Sequence, residues 1–257
     1  MSPSFSICDI TPENIEQETV FCIKNVKSPG FQHKKKWFIK RYLEGLRMHI
    51  LKGFDGKMAG FIEYLPGNVA WRPVNAESYM FIHCLFVYPK KYKNQGYGSA
   101  LVREAEAVAR KAGNSGLCTL SSKGAWMSNS DLFMKLGFNS IAKRGRFELL
   151  CKKWNAETPD PEIRNWELQQ SRYQGWHLVY ADQCPWHDKA VEALWNTAQD
   201  YGIDLQLTRL ESATEAQQAP SGFGVFSLLR DGKLLEDHYL SATRFKNILE
   251  QELKINS

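Results

Sequence analysis

One stretch constrains this chain more than any other. It runs Phe81-Ile-His-Cys-Leu-Phe-Val87-Tyr-Pro89, then Lys93-Asn-Gln-Gly96-Tyr-Gly98, then Ser99 to Gly113. Phe81 to Val87 is apolar and aromatic, and too short for anything but a buried strand. Pro89 ends it, because proline cannot donate to a strand ladder. Beyond Gly98, the residues Leu101, Val102, Ala105, Val108 and Ala109 fall on one face of a 3.6-residue period, which predicts a helix. Arg110 and Lys111 suit its last turn, and Gly113 is placed to stop it. The loop between strand and helix opens on the free N–H groups and positive end of a helix. Its two glycines admit a bulky anion close to the backbone. It is not a dinucleotide fingerprint, because Leu101 stands at the third glycine position, and no Gly-Lys-Ser/Thr follows to make a Walker loop. From the glycines alone, two readings stand: a phosphate cradle, or an ordinary strand-to-helix turn.

A chain of 257 residues suits one large domain or two of ordinary size. No run approaches the roughly 18–20 apolar residues of a membrane span. The N-terminus lacks a basic-then-apolar signal pattern, so the expected location is the cytoplasm. Cysteines stand at 8, 22, 84, 118, 151 and 184 with no C-x-x-C, so neither a zinc site nor a dithiol motif is written, and reduced, mostly buried thiols are expected. Net charge is +5, but it is unevenly spread: residues 1–155 hold 24 Lys/Arg against 12 Asp/Glu, and residues 156–257 hold 9 against 16. A basic half with a phosphate cradle fits an anionic cofactor. No recognised nucleic-acid-binding module accompanies it.

Taken in order, Ile10 to Glu18 reads as a helix, with Thr11 as N-cap and Pro12 at the first helical position. Lys34 to Leu43 reads as an amphipathic helix. Met48–Leu51 and Met58–Tyr64 read as strands joined by a turn at Phe54-Asp-Gly-Lys57, where Asp-Gly is a hairpin signal. Ala70-Trp71-Arg72-Pro73 lies in a loop and either holds substrate or covers the core edge. Leu117 to Ser121 is a strand, Trp126 to Phe138 holds a short helix, and Ile141 to Cys151 supplies closing strands. Asn155 to Gln174, broken by Pro159 and Pro161, is a linker candidate. Then come a strand at Trp176–Ala181, a helix carrying Ala190, Val191, Leu194 and Ala198, and a strand at Ile203–Leu207, which make a parallel βαβ unit. A hairpin, Phe223–Leu229 with Leu234–Tyr239, and a helix at Thr243–Leu253 complete the chain.

Val87-Tyr-Pro89 followed by Lys93-x-x-Gly96-x-Gly98 resembles the central motif of the GNAT superfamily of acyl-CoA-dependent N-acyltransferases, Val-x-Pro then [Arg/Gln]-x-x-Gly-x-[Gly/Ala]. Lys93 replaces the usual Arg or Gln, and the spacer after the proline is longer by one residue than in the common pattern. The β-α-β, proline, hairpin, helix order of the tail resembles a thioredoxin-type fold. Cys184 stands where that fold puts its reactive cysteine, and Pro220 where it puts a cis proline. The pairing is similar to the YoaP-type subgroup. The resemblance implies an α/β (α+β) protein with a GNAT mixed sheet flanked by helices over 1–154. A linker over 155–174 and a smaller thioredoxin-like α/β domain over 175–257 would follow. It implies acetyl-CoA as cofactor and a small-molecule or peptide amine as acceptor, and leaves a homodimer open. Leu85, Phe86 and Val87 would pair with the pantetheine arm. Lys93, Asn94, Gln95, Gly96, Tyr97, Gly98 and Ser99 would hold the pyrophosphate. Asn129 and Phe133 would line the thiol end, where relatives carry a Tyr at the position of Phe133. Trp71 and Arg72 are the substrate-binding candidates.

For a general base, Glu63 and His83 stand in apolar strands, where a carboxylate or an imidazole needs a reason. Cys184 is the third catalytic candidate, as a monothiol at a helix start. His187 occupies the place of a second thiol, which argues against dithiol exchange. Two other readings remain at this stage: an acyl-CoA-binding sensor without turnover, and a redox protein centred on Cys184.

Overall fold

The computed structural model of the chain describes residues 5–18, 20–124 and 126–254. The chain divides into two compact units. The first takes the residues up to Lys24, Lys35–Ala70 and Val74–Arg164; the second takes Asn25–Lys34, Trp71–Pro73 and everything from Asn165 on.

The first unit is built on β1 (Ser6–Ile10), the greater part of α1 (Pro29–Tyr42), β2 (Arg47–Lys52), β3 (Met58–Pro66), β4 (Val74–Asn75), β5 (Tyr79–Val87), α2 (Tyr97–Lys111), β6 (Gly116–Ser121), α3 (Ser130–Lys135), β7 (Asn139–Arg144), β8 (Phe147–Lys153) and β9 (Glu162–Ile163). Seven strands form one mixed sheet in the order β1-β2-β3-β5-β6-β8-β7. Every neighbouring pair is antiparallel except β5 and β6. A parallel pair needs a crossover, and α2 supplies it. Leu101, Val102, Ala105 and Ala109 of α2 pack onto one sheet face with Ile62, Tyr64, Met80, Ile82, Leu117 and Leu150. That is the apolar stripe read from the sequence, now seated on its sheet.

The helix expected over Ile10 to Glu18 is not formed. Ile10 closes β1, and residues 12–17 are turns. The Asn14 side chain accepts from Thr11 N–H at 2.9 Å and donates to the Asp9 carbonyl at 2.8 Å. Local side-chain bonds of this kind offer the backbone an alternative to a helix. The stretch read as a linker splits. Its first part stays with the first unit, where β9 pairs with β4 and the Tyr79 hydroxyl donates to the Pro159 carbonyl at 2.9 Å.

The second unit contains α4 (Glu167–Gln170), β10 (Trp176–Tyr180), α5 (Trp186–Asp200), β11 (Leu205–Arg209), α6 (Ala213–Gln217), β12 (Phe226–Arg230), β13 (Lys233–Glu236) and α7 (Ala242–Lys254). Its sheet runs β11-β10-β12-β13, with β10 and β11 parallel and the other pairs antiparallel. Helix α6 is not among the elements expected from the sequence, although its signal is written there. Ser212 caps it by accepting from Glu215 N–H at 3.2 Å, the Ser-x-x-Glu pattern of a helix start. The Ala219–Pro220 bond is trans, in contrast to the cis proline the tail's resemblance implied; among the described residues the one cis peptide is Tyr88–Pro89. No helix among the described residues is long and apolar enough to cross a membrane.

Candidate active site

The sheet of the first unit opens at its centre. β5 and β6 pair from Tyr79↔Gly116 only as far as Ile82↔Thr119. Beyond that point β6 continues to Ser121 beside β8, and β5 continues to Val87 beside β3. The ladder between β5 and β6 therefore ends at Ile82, and from Leu85 to Val87 the two strands no longer pair. Thr119 marks the base of the opening, its hydroxyl donating to the Ile82 carbonyl at 2.9 Å. Ser128, beyond β6, reaches across to the Leu85 carbonyl at 3.4 Å. Neither residue stands out in the sequence, because a hydroxyl in a strand or loop has no distinctive spacing. Replacing Thr119 by Val removes a buried hydroxyl bond and is expected to cost about 1–2 kcal/mol, read as a lowered urea midpoint.

A register shift accompanies the opening. Glu63 pairs with Cys84, but Tyr64 pairs with Ile82, so His83 is an extra residue on β5. Bulges of this kind re-aim side chains. Here the shift brings His83 Nδ1 to 3.7 Å from Glu63 Oε1, with both side chains buried. The two candidates named from the sequence for their polarity in apolar strands thus meet as one carboxylate–imidazole pair. Their sheet face is opposite that of Ile62, Tyr64 and Ile82, which pack under α2. Cys84, one of the thiols expected to be mostly buried, is only partly so.

At the far end of the open edge the chain turns into α2. Lys93, Asn94, Gln95 and Gly96 are exposed, and Gly96 caps the helix at φ +78° with no side-chain cap. No acidic side chain stands in the first turn. A Cβ at Gly96 would meet nothing within 4 Å, and one at Gly98 would meet only the Leu132 side chain at 3.0 Å and Val87 at 3.9 Å. The backbone at Gly96 is therefore uncrowded, and α2 starts there without a side-chain cap. Tyr97 anchors the turn from below: its ring is buried 6.0 Å from Tyr92. The approach to the turn is held by Asp55, at the tip of the β2–β3 hairpin. Its carboxylate accepts from Tyr92 at 2.6 Å and from Lys91 at 2.7 Å. Those two bonds hold the Asp55 carboxyl well below the usual carboxylate range, the Lys91 bond being the stronger cause. Asp55 was legible only as a turn residue; its tie to the loop depends on the hairpin folding back.

The other named residues are placed as follows. Asn129 is exposed and caps α3, accepting from Asp131 N–H at 3.4 Å. Phe133 is wholly buried and packs edge-on against Phe138 at 5.3 Å, so its ring belongs to the core beneath α3. Trp71 and Arg72 are buried in the second unit, where the Arg72 guanidinium lies 5.1 Å from the Phe223 ring. Glu63 and His83 belong to the first unit. Cys184 is partly buried at the turn into α5, and its carbonyl accepts from His187 N–H at 3.1 Å. Among the described residues, no group of three or more His, Cys, Asp and Glu side chains could hold a metal ion.

Residues 14–138 match the model of the Acetyltransferase (GNAT) family, and residues 204–247 match that of YoaP-like domains. The chain is 30% identical over 249 residues to a Bacillus subtilis (strain 168) protein described as an uncharacterized N-acetyltransferase YoaP. That match covers 94% of this chain and 97% of the relative. Solved structures that align with part of the chain include a PaiA N-acetyltransferase from Thermoplasma acidophilum in complex with coenzyme A. It is 19% identical at a TM-score of 0.42, over 59% of this chain and 99% of that one. Another is a putative streptothricin acetyltransferase from Bacillus anthracis str. Ames in complex with acetyl coenzyme A. It is 12% identical at a TM-score of 0.43, with the same coverage. Identity of this order along nearly all of both chains, with the two family models falling on successive parts of the sequence, makes the protein a member of the GNAT N-acetyltransferase family in which a YoaP-like domain follows the acetyltransferase domain.

Proposed function

We propose that the protein transfers an acetyl group from acetyl-CoA to the amine of a small molecule or peptide. The observation that carries this reading is the open edge of β5 running straight into the uncapped start of α2. An extended pantetheine arm pairs with a free strand edge as another strand would. The pyrophosphate then reaches the amides of Gly96 to Ser99, where the helix start favours negative charge. Lys93 adds a cation at the same end. A thioester held along the edge ends near the bulge, beside His83 and Glu63.

Acyl transfer to nitrogen needs a neutral amine, a fixed thioester and stabilisation of the oxygen that gains charge. The His83–Glu63 pair accepts the proton of the incoming ammonium, and the carboxylate stabilises the imidazolium that results. A β5 amide on the open edge donates to the acyl oxygen. Phe133 brings no hydroxyl to the leaving thiolate. In the second unit, the strand order and the direction of β10, β11 and β12 support a thioredoxin-type scaffold. With His187 three residues after Cys184, that scaffold lacks the second thiol of a dithiol exchanger. On this reading Cys184→Ser leaves coenzyme A affinity unchanged.

Titration calorimetry of the full chain with coenzyme A tests the proposal. Binding is expected, and Gly96→Val is expected to weaken it by about 10–100-fold, the loss of one or two bonds to a charged phosphate. The space around Gly96 is empty, so the variant folds with only the local strain of a branched residue at positive φ. No heat of binding, or an unchanged affinity in the variant, overturns the assignment.

A further inference from the structure

The face of β3 and β5 that carries Glu63 and His83 also carries a row of rings. Phe61 and Phe86 are cross-strand partners with ring centroids 5.7 Å apart. Phe86 in turn stacks on Tyr88 at 5.9 Å, the planes inclined by 30°. The row rises from depth to surface: Phe61 is 4% exposed, Phe86 is partly buried and Tyr88 is 54% exposed. At its deep end the alternation of β3 sets Glu63 two residues from Phe61 on the same face. Phe81 closes the far side, its ring edge-on to His83 at 5.4 Å. Reading from solvent inward, the face is Tyr88, Phe86, Phe61, then the buried carboxylate–imidazole pair.

Tyr88 stacks on Phe86 and is still 54% exposed, so part of it remains available to a ligand. A row of rings ending on a buried carboxylate selects for two properties in one molecule. The first is a positive or polarisable nitrogen at the leading end, drawn by Glu63 and by the ring faces. The second is a flat apolar body behind it, which stacks on offset rings at about 0.5–1.5 kcal/mol per pair beyond its buried area. A strongly hydrated polyamine or an aminosugar gains little from such a row, because its polar groups would lose water without partners.

We propose that the acceptor is a primary amine on a short alkyl arm attached to an aromatic ring, its ring stacked on Tyr88 and Phe86 and its nitrogen at the Glu63–His83 pair. This deepens the acetyl-transfer reading and rests on it. In the reaction, the amine nitrogen bonds to the acetyl carbon while the carbon–sulfur bond breaks. The sulfur leaves as the thiolate of coenzyme A, and the proton released by the nitrogen ends on the thiol, through the pair and solvent. The products are the N-acetyl amide and coenzyme A.

The test uses the full chain with acetyl-CoA and three probes: phenethylamine, n-hexylamine and spermidine. Coenzyme A release is followed with a thiol reagent. Binding of each amine to the coenzyme A-loaded protein is followed by calorimetry. Phenethylamine is expected to show a kcat/KM at least about tenfold above spermidine and above hexylamine, the yield of one to two ring contacts. Tyr88→Ala is expected to raise KM for phenethylamine severalfold, to leave KM for hexylamine nearly unchanged and to leave coenzyme A affinity unchanged. Equal or better use of spermidine overturns the proposal. So does a Tyr88→Ala variant with an unaltered phenethylamine KM. If no probe turns over, the binding arm decides: phenethylamine must still bind the loaded protein more tightly than spermidine, or the acceptor class is wrong. Failure to bind coenzyme A at all is a different result, and removes the acetyl-transfer reading itself.

Discussion

Glu63→Gln lowers kcat/KM for acetyl transfer by about 10²–10⁴-fold, the usual contribution of a positioned general base. Coenzyme A affinity is expected to stay as it was, because Glu63 lies on the face of β3 away from α2. The substitution keeps volume and hydrogen-bonding capacity at a fully buried position, so the fold survives; a thermal melt checks this. The change removes the charge that supports the imidazolium on His83, 3.7 Å away. Two readouts separate a catalytic role from a structural one. The alkaline rise of kcat/KM with pH is expected to change in the variant, because the imidazole that takes the proton has lost the carboxylate that supports its charged form. In addition, Glu63→Gln combined with His83→Gln is expected to be no slower than the slower single variant, since residues that act as a unit are not additive. A loss under about tenfold with an unchanged pH profile would remove the pair from the mechanism.

Acid is expected to destabilise the second unit through His187. Its ring is fully enclosed, with Phe226 at 5.1 Å and Phe223 at 6.1 Å, and its Nδ1–H donates to the Ala181 carbonyl at 2.8 Å. Burial pushes its pKa down to about 4, with Arg72 and Lys34 pushing the same way and the Ala181 carbonyl opposing them. In the unfolded chain an imidazole titrates near 6.5. Above about pH 6.5 neither state is protonated and the full stability is present. Between about 6.5 and 4 the unfolded chain takes up a proton that the folded one refuses, so stability falls as pH falls. Below about 4 the loss levels off at about 3 kcal/mol, because a tenfold change in proton affinity is worth about 1.4 kcal/mol. Urea unfolding at pH 7, 5.5 and 4.5 measures it, with amide exchange in β10 and α5 to locate it. Carboxylates titrate over part of the same range, so the comparison is with His187→Phe, which keeps an aromatic ring against Phe223 and Phe226. The variant's curve is expected to be flatter by that amount. Parallel curves for the two proteins would show that His187 does not govern the acid response.

Much of the fold was legible because it depends on local order. Phe81 to Gly113 specifies strand, glycine turn and helix from its own residues, and no distant part of the chain is needed to say so. The Asp55–Gly56 hairpin and the parallel β10–α5–β11 unit are of the same kind. Glu63 and His83 could be singled out one by one, each as a polar group among apolar neighbours. Their meeting could not, because it depends on a one-residue register shift between β3 and β5 that no periodicity records. The Ile10–Glu18 stretch failed for a related reason: its N-cap signals were real, but Asn14 spent its side chain on Thr11 and Asp9 and held the backbone in turns.

What the sequence by itself determined was the strand, glycine turn and helix of Phe81 to Gly113, the main strands and helices around them and the family resemblance, since each follows from local order along the chain. What only the tertiary structure decided was where β5 and β6 part, which face receives Glu63 beside His83, and that Trp71 and Arg72 are buried with Phe223 in the second unit. These are relations between segments far apart in sequence. They are fixed by strand register and by packing, and neither can be read before the chain has closed on itself.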